Sequence, residues 1–91
     1  LLAPGVVVSG GKIRRSILSN LVYVDEQSAV NESIVMRGAR IGKNCKLQRC
    51  IIDKWNEVPD NTVIGYDREA DEERFTVSPT GITVVPQNYS W

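Results

Sequence analysis

Between Val7 and Ile64 the chain repeats itself every 17 residues. Aliphatic residues stand at Val7, Val24, Ile41 and Val58, again at Ile13, Val30, Leu47 and Ile64, and again at Leu18, Val35 and Ile52. They recur at steps of 6, 5 and 6, which neither the 3.6-residue period of a helix nor the two-residue alternation of a flat strand produces. The spacing predicts a hexapeptide solenoid of short strands, three to a coil, each coil resting on the one before. Two positions before each aliphatic lies a residue whose side chain points the same way, because side chains alternate along a strand. Those positions are Gly11, Ser16, Val22, Ser28, Ser33, Ala39, Cys45, Cys50, Asn56 and Thr62, nearly all small. One large and one small residue per side fit the interior of a narrow triangular prism. The expected fold is all-β, a parallel β-helix of about three and a half coils. The period leaves its hand open; β-helices of this hexapeptide type wind left-handed, against the usual crossover rule.

Turn formers separate the strands, at Ser9-Gly10, Asp25-Glu26-Gln27, Gly42-Lys43-Asn44 and Pro59-Asp60-Asn61. A solenoid also sorts charges into columns, since residues one coil apart stand a single strand spacing, about 4.8 Å, from one another. Arg15, Glu32 and Arg49 alternate in sign, as do Glu26, Lys43 and Asp60, and Arg40 stands over Glu57. Such pairs read as solvated ladders worth a few tenths of a kcal/mol to about 1 kcal/mol each. Arg37 over Lys54, with Asn20 beyond, has no carboxylate in register. Two readings are open there: long cations splayed into water, or a site whose missing partner is an anion. Arg37 and Lys54 are the candidate anion-binding residues. A further column, Ile17, Ile34 and Ile51, should face outward, and stacked isoleucines on a solvent face mark a contact surface. The candidates to cover it are the chain's own tail, a neighbouring domain or another subunit.

The period stops after Gly65, dividing the chain into a repeat domain, residues 1–65, and a capping tail, residues 66–91. Asp67 is placed to cap a short helical turn with acidic residues early and an Arg68–Glu72 pair one turn apart. Phe75-Thr76-Val77 and Ile82-Thr83-Val84-Val85 then flank Ser78-Pro79-Thr80-Gly81, which reads as a small hairpin. It would close the open end of the solenoid, whose last ladder of amides is otherwise unpaired.

Eleven basic and eleven acidic residues among 91 cancel, so the overall charge calls for neither nucleic acid nor a membrane surface. No apolar run approaches the ~20 residues of a transmembrane helix. The opening Leu1-Leu2-Ala3-Pro4-Gly5 has neither an initiator methionine nor the basic and apolar regions of a signal peptide, and reads as cut from something longer. Cys45 and Cys50 are too few for a disulfide scaffold and lack partners for a zinc site. They read as buried free thiols of a cytoplasmic protein.

Hexapeptide β-helices occur as acyltransferases, as γ-class carbonic anhydrases and as appended domains of sugar nucleotidyltransferases. The first rely on a histidine base and the second on histidine ligands, and this chain has no histidine. Nor does it contain a Gly-rich phosphate loop, a nucleophile elbow or carboxylates at metal spacing. The acidic run from Asp67 to Glu73 reads as a solvated helix face. No catalytic, cofactor or metal residue is assigned, and the chain alone is expected to be inactive.

A longer pattern runs through Ser9-Gly10-Gly11, Arg15-Ser16-Ile17-Leu18, Ile41-Gly42 and Leu47-Gln48-Arg49-Cys50-Ile51-Ile52-Asp53-Lys54. It continues through Val58-Pro59, Val63-Ile64-Gly65-Tyr66-Asp67, Asp71, Arg74-Phe75 and Gly81-Ile82-Thr83-Val84-Val85. This pattern resembles the C-terminal domain of bacterial glucose-1-phosphate adenylyltransferase, also called ADP-glucose pyrophosphorylase, over nearly the whole chain. The resemblance implies a parent enzyme that joins ATP and glucose 1-phosphate into ADP-glucose and diphosphate in a Mg²⁺-dependent step towards glycogen. Its catalytic domain would lie N-terminal and outside this chain, so no ATP or metal residue carries over. The implied partners are that catalytic domain, sister subunits of a homotetramer, and a sugar-phosphate or other anionic effector.

By the same resemblance, Lys54 holds a position that is basic in members that bind an activating sugar bisphosphate. Where those members read Val-Thr-Arg in the tail, this chain reads Val85-Pro86-Gln87 and ends in Tyr89-Ser90-Trp91. Fewer tail cations imply a weaker or different regulator. The alternative is a stand-alone structural or acyl-carrier-binding β-helix protein, or a fragment of a hexapeptide acyltransferase.

Overall fold

The computed structural model describes residues 4–91. One face of the prism consists of β1 (Val7–Val8), β4 (Tyr23–Val24), β7 (Arg40–Ile41) and β10 (Glu57–Val58). The second consists of β2 (Lys12–Arg14), β5 (Ala29–Asn31), β8 (Lys46–Gln48) and β11 (Val63–Ile64). On the third lie β3 (Ile17–Leu18), β6 (Ile34–Val35) and β9 (Cys50–Ile52). Every neighbour within these faces is parallel, and Ile13, Val30, Leu47 and Ile64 follow one another in register. The chain is a left-handed parallel β-helix of hexapeptide repeats.

Leu18, Val24, Val30, Val35, Ile41, Leu47, Ile52 and Ile64 are fully buried along its axis. Nine of the ten expected small interior positions are buried as well, Gly11 being half-buried. The serines survive inside because their hydroxyls serve the coil above: the Ser16 hydroxyl accepts the Ser33 amide at 3.1 Å. Ser28 does the same for Cys45 at 3.0 Å, and Ser33 for Cys50 at 3.2 Å. A buried polar group whose partner is supplied has its desolvation cost offset by the hydrogen bond.

Each coil turns three corners, and a left-handed residue sits at each. Arg15, Glu32 and Arg49 make one such column (φ 46, 48 and 48). Gln27, Asn44 and Asn61 make another (φ 59, 58 and 63), and Leu21, Gly38 and Trp55 the third (φ 62, 72 and 59). The conformation costs a non-glycine residue roughly 1–2 kcal/mol. It persists because the amide at the corner donates to the coil next to it, as Trp55 does to the Arg37 carbonyl at 3.0 Å and Asn61 to that of Lys43 at 2.9 Å.

The first coil departs from the expected register. Val8 rather than Val7 pairs with Val24, while Val7 lies opposite Tyr23 and is half exposed. The cause is the Ser9-Gly10 turn, one residue shorter than Asp25-Glu26-Gln27 in the next coil.

Beyond Gly65 the tail forms α1 (Arg68–Arg74), β12 (Thr76–Val77) and β13 (Thr83–Val85). Asp67 caps α1 by accepting the Ala70 amide at 3.2 Å, and Arg68 Nε reaches Glu72 Oε2 at 3.8 Å. β12 and β13 pair antiparallel as the expected hairpin. β13 also pairs parallel with β9, Val84 against Ile51 and Val85 against Ile52, and so supplies the fourth rung of the third face. The aliphatic column resumes with Val85, fully buried.

Candidate functional site

Arg37 and Lys54 lie on the corner between the third and first faces, in neighbouring coils, and both are exposed. The Trp55 amide bonded to the Arg37 carbonyl holds the two positions one rung apart. Lys54 Nζ approaches Asp53 Oδ1 at 3.8 Å, a carboxylate that the Lys54 amide also donates to at 2.7 Å. Arg37 takes part in none of the ion pairs among the described residues. The column therefore presents one engaged and one unengaged cation.

Ile17, Ile34 and Ile51 stack in register as expected, with Val84 of the tail extending the stripe by one rung. Ile17 is 45% and Ile34 37% exposed, and Ile51 is half-buried. Of the three candidates to cover this stripe, the chain's own tail is excluded by its position: it lengthens the sheet and does not lie across it.

The remaining charges pair less directly than their columns suggest. Arg49 Nε stands 3.9 Å from Glu32 Oε2. Asp60 meets the next coil through the Lys43 amide at 2.8 Å. The Arg40 guanidinium lies over the Tyr23 ring at 4.6 Å, a cation–π contact to the strand on the side away from Glu57. Both cysteines are buried and free. Burial raises the Cys45 thiol above its ordinary 9.0, against opposing hydrogen bonds. Burial pushes Cys50 up to about 11, opposed by the Ser33 hydroxyl and reinforced by the Asp71 charge. Thiols held neutral and out of solvent are poor nucleophiles and ligands.

Three groups at the tail end escaped the sequence. Asn56, at an inward position, donates to the Asp53 and Pro86 carbonyls and accepts the Tyr89 amide. Asp71 is a buried carboxylate that accepts the Gly65 amide at 2.9 Å and the Thr83 hydroxyl at 3.4 Å. Phe75, Tyr89 and Trp91 form an aromatic trio, with centroids 4.9 to 5.6 Å apart and the Tyr89 hydroxyl donating to the Arg74 carbonyl. The inward amide of Asn56 was the one visible signal, since it needs partners that the repeat does not supply.

No group of three or more His, Cys, Asp or Glu among the described residues is placed to share a metal ion. No helix among them is long and apolar enough to cross a membrane.

Residues 1–85 match the family model described as GlmU-like, C-terminal hexapeptide. The chain is 47% identical over 89 residues to a glucose-1-phosphate adenylyltransferase of Corynebacterium diphtheriae, covering 98% of this chain and 21% of that protein. It is 44% identical over 87 residues to one from Anaeromyxobacter sp. (strain Fw109-5), covering 96% and 21%. A third relative, glucose-1-phosphate adenylyltransferase 2 of Vibrio cholerae, is 37% identical over 91 residues, covering 100% and 22%. The chain thus spans about a fifth of the length of the curated relatives it matches. By its repeat, its coil geometry and this match over most of its length, the chain belongs to the GlmU-like C-terminal hexapeptide family.

Proposed function

We propose that this β-helix is the oligomerisation and effector-binding part of a glucose-1-phosphate adenylyltransferase. The observation that carries the reading is the 44% and 47% identity to such enzymes over nearly all of this chain. The parent enzyme would join ATP and glucose 1-phosphate into ADP-glucose and diphosphate in the cytoplasm. Mg²⁺ would neutralise the transferring phosphates there. Those ligands belong to the catalytic domain, which this reading places in the part of the parent that the chain does not span.

Two features remain for the β-helix to contribute. The Ile17, Ile34, Ile51 stripe gives a flat apolar face suited to the enzyme's own catalytic domain or to a sister subunit of a homotetramer. The Arg37–Lys54 column gives a cationic corner suited to an anionic effector such as a sugar phosphate. The test is ADP-glucose and diphosphate formation by the full-length protein given ATP, glucose 1-phosphate and Mg²⁺, with the particle mass from light scattering. Formation dependent on both substrates, by a tetramer, is expected. Absence of ADP-glucose overturns the enzyme assignment, and a monomeric active particle overturns the oligomerisation role.

A further inference from the structure

Past the end of β11 on the second face, α1 and the hairpin that joins the third face border an open cavity of about 150 Å³. Asp71 lines it from α1 and Thr83 from β13, with Tyr66, Arg68 and Val77 completing the wall. Gly81 leaves the mouth clear, since a Cβ there would meet nothing within 4 Å. The chain around it is acidic: from Asp67 to Arg74, five carboxylates stand against two arginines.

Asp71 is 4% exposed, yet it takes part in none of the ion pairs among the described residues. Both of its side-chain hydrogen bonds fall on one oxygen, Oδ2, from the Gly65 amide at 2.9 Å and the Thr83 hydroxyl at 3.4 Å. Among the described residues nothing donates to Oδ1. Nor is Oδ1 sealed in, because none of their side-chain oxygens is both fully buried and unpartnered; its outlet is the cavity. A carboxylate drawn out of water with one oxygen unused is costly, and a cation at that oxygen compensates it. The one cation on the wall, Arg68, is directed elsewhere: Nη2 donates to the Ser78 carbonyl at 3.4 Å and Nε lies 3.8 Å from Glu72 Oε2.

We propose that this cavity binds a small primary ammonium ion, which donates to Asp71 Oδ1 and to the Thr83 hydroxyl oxygen and rests against Tyr66. Size sets the first limit: a water occupies about 30 Å³ of liquid, so the cavity has room for an ion of a few heavy atoms. Donor chemistry sets the second. Mg²⁺ and Ca²⁺ take about six to eight oxygens, and the wall offers one free carboxylate oxygen, whereas an ammonium needs few acceptors and brings its own protons. A neutral hydroxyl would fill Oδ1 but leave the charge uncompensated. Tyr66, half exposed at the wall, offers a cation either its ring face or its phenol oxygen.

The test uses the full-length protein labelled with 3-fluorotyrosine and read by ¹⁹F NMR, the Tyr66 resonance being identified by its loss in Tyr66→Phe. Methylammonium and tetramethylammonium chloride are titrated separately at constant ionic strength, the second being larger and without N–H groups. Methylammonium is expected to shift the Tyr66 resonance saturably, at about tenfold lower concentration than tetramethylammonium needs. Asp71→Asn should abolish that preference. Because Asp71 also fastens Gly65, a second variant leaves it in place: Val77→Phe narrows the cavity and should weaken the response about tenfold. Arg68→Gln removes the competing cation and should strengthen it. Equal response to the two ions overturns the proposal, as does a methylammonium response undiminished in both Asp71→Asn and Val77→Phe. A weaker response in Arg68→Gln contradicts the assignment of Arg68 as competitor and with it the uncompensated charge.

Discussion

Tyr89 donates its backbone amide to the side-chain oxygen of Asn56 at 2.9 Å, across 33 residues of chain. The same side chain donates to the carbonyls of Asp53 at 3.0 Å and Pro86 at 2.9 Å, so one buried amide fastens the returning tail to the last coil. Asn56→Leu keeps the branched outline of the side chain, at a larger volume, but leaves the Tyr89 amide and two carbonyls without their partner. A loss of about 1–3 kcal/mol is expected, with faster exchange of the Val84 and Tyr89 amides than of those in Val30 and Leu47. Unchanged stability and unchanged protection of the tail would show that Asn56 does not act as the clamp.

Gly65 ends the last regular coil at φ 92, where a Cβ would fall 1.8 Å from the Gln48 carbonyl oxygen. Gly65→Ala must both strain the backbone and move β8, and it disturbs the amide that Asp71 accepts. Destabilisation of at least about 2 kcal/mol is expected in chemical denaturation. A variant with the wild-type midpoint would contradict this packing at the junction.

The Cys50 thiol is raised by burial from 9.0 to about 11 in the folded chain. In the unfolded chain it ionises first, near its ordinary value, so above pH 9 the unfolded state has lost a proton that the folded state keeps. The stability this contributes is fully present below pH 9 and is lost as pH rises through about 11, by on the order of 2 kcal/mol. Cys45 is raised in the same sense. Cys50→Ala should flatten the fall in stability between pH 9 and 11, and an identical slope in that variant would assign the fall to other groups.

The coils were legible because burial repeats: aliphatic and small residues alternate at fixed spacing, and every coil solves the same packing problem. Val7 misled because one residue is missing from the first turn, and three neighbouring valines, Val6, Val7 and Val8, leave the register undetermined by composition. The return of β13 was hidden by the excursion through α1. Continuing the 17-residue column from Ile52 reaches Glu69, a charged helical residue, and the true successor is Val85. The Arg37–Lys54 column was visible in the sequence as like charges one coil apart. The packing of Trp55 against Gly38 was not, because it is a contact between coils that no local pattern reveals.

Ile34 stands in the middle of the apolar stripe, 37% exposed between Ile17 and Ile51. Ile34→Asp puts a charge where the stripe would be covered, at a site that water can still reach in the isolated β-helix. In the full-length protein a shift in elution volume towards smaller particles, or a lowered melting temperature, is expected. Wild-type values of both would show that the stripe is not a contact face.

The most direct measurement is the rate of ADP-glucose formation by the full-length protein, with and without an activating sugar phosphate, in wild type and in Lys54→Ala. The effector concentration for half-maximal response should rise about tenfold or more in the variant, while the rate without effector falls far less. Equal loss of both rates, or an undiminished response, would contradict a regulatory role for this corner of the β-helix.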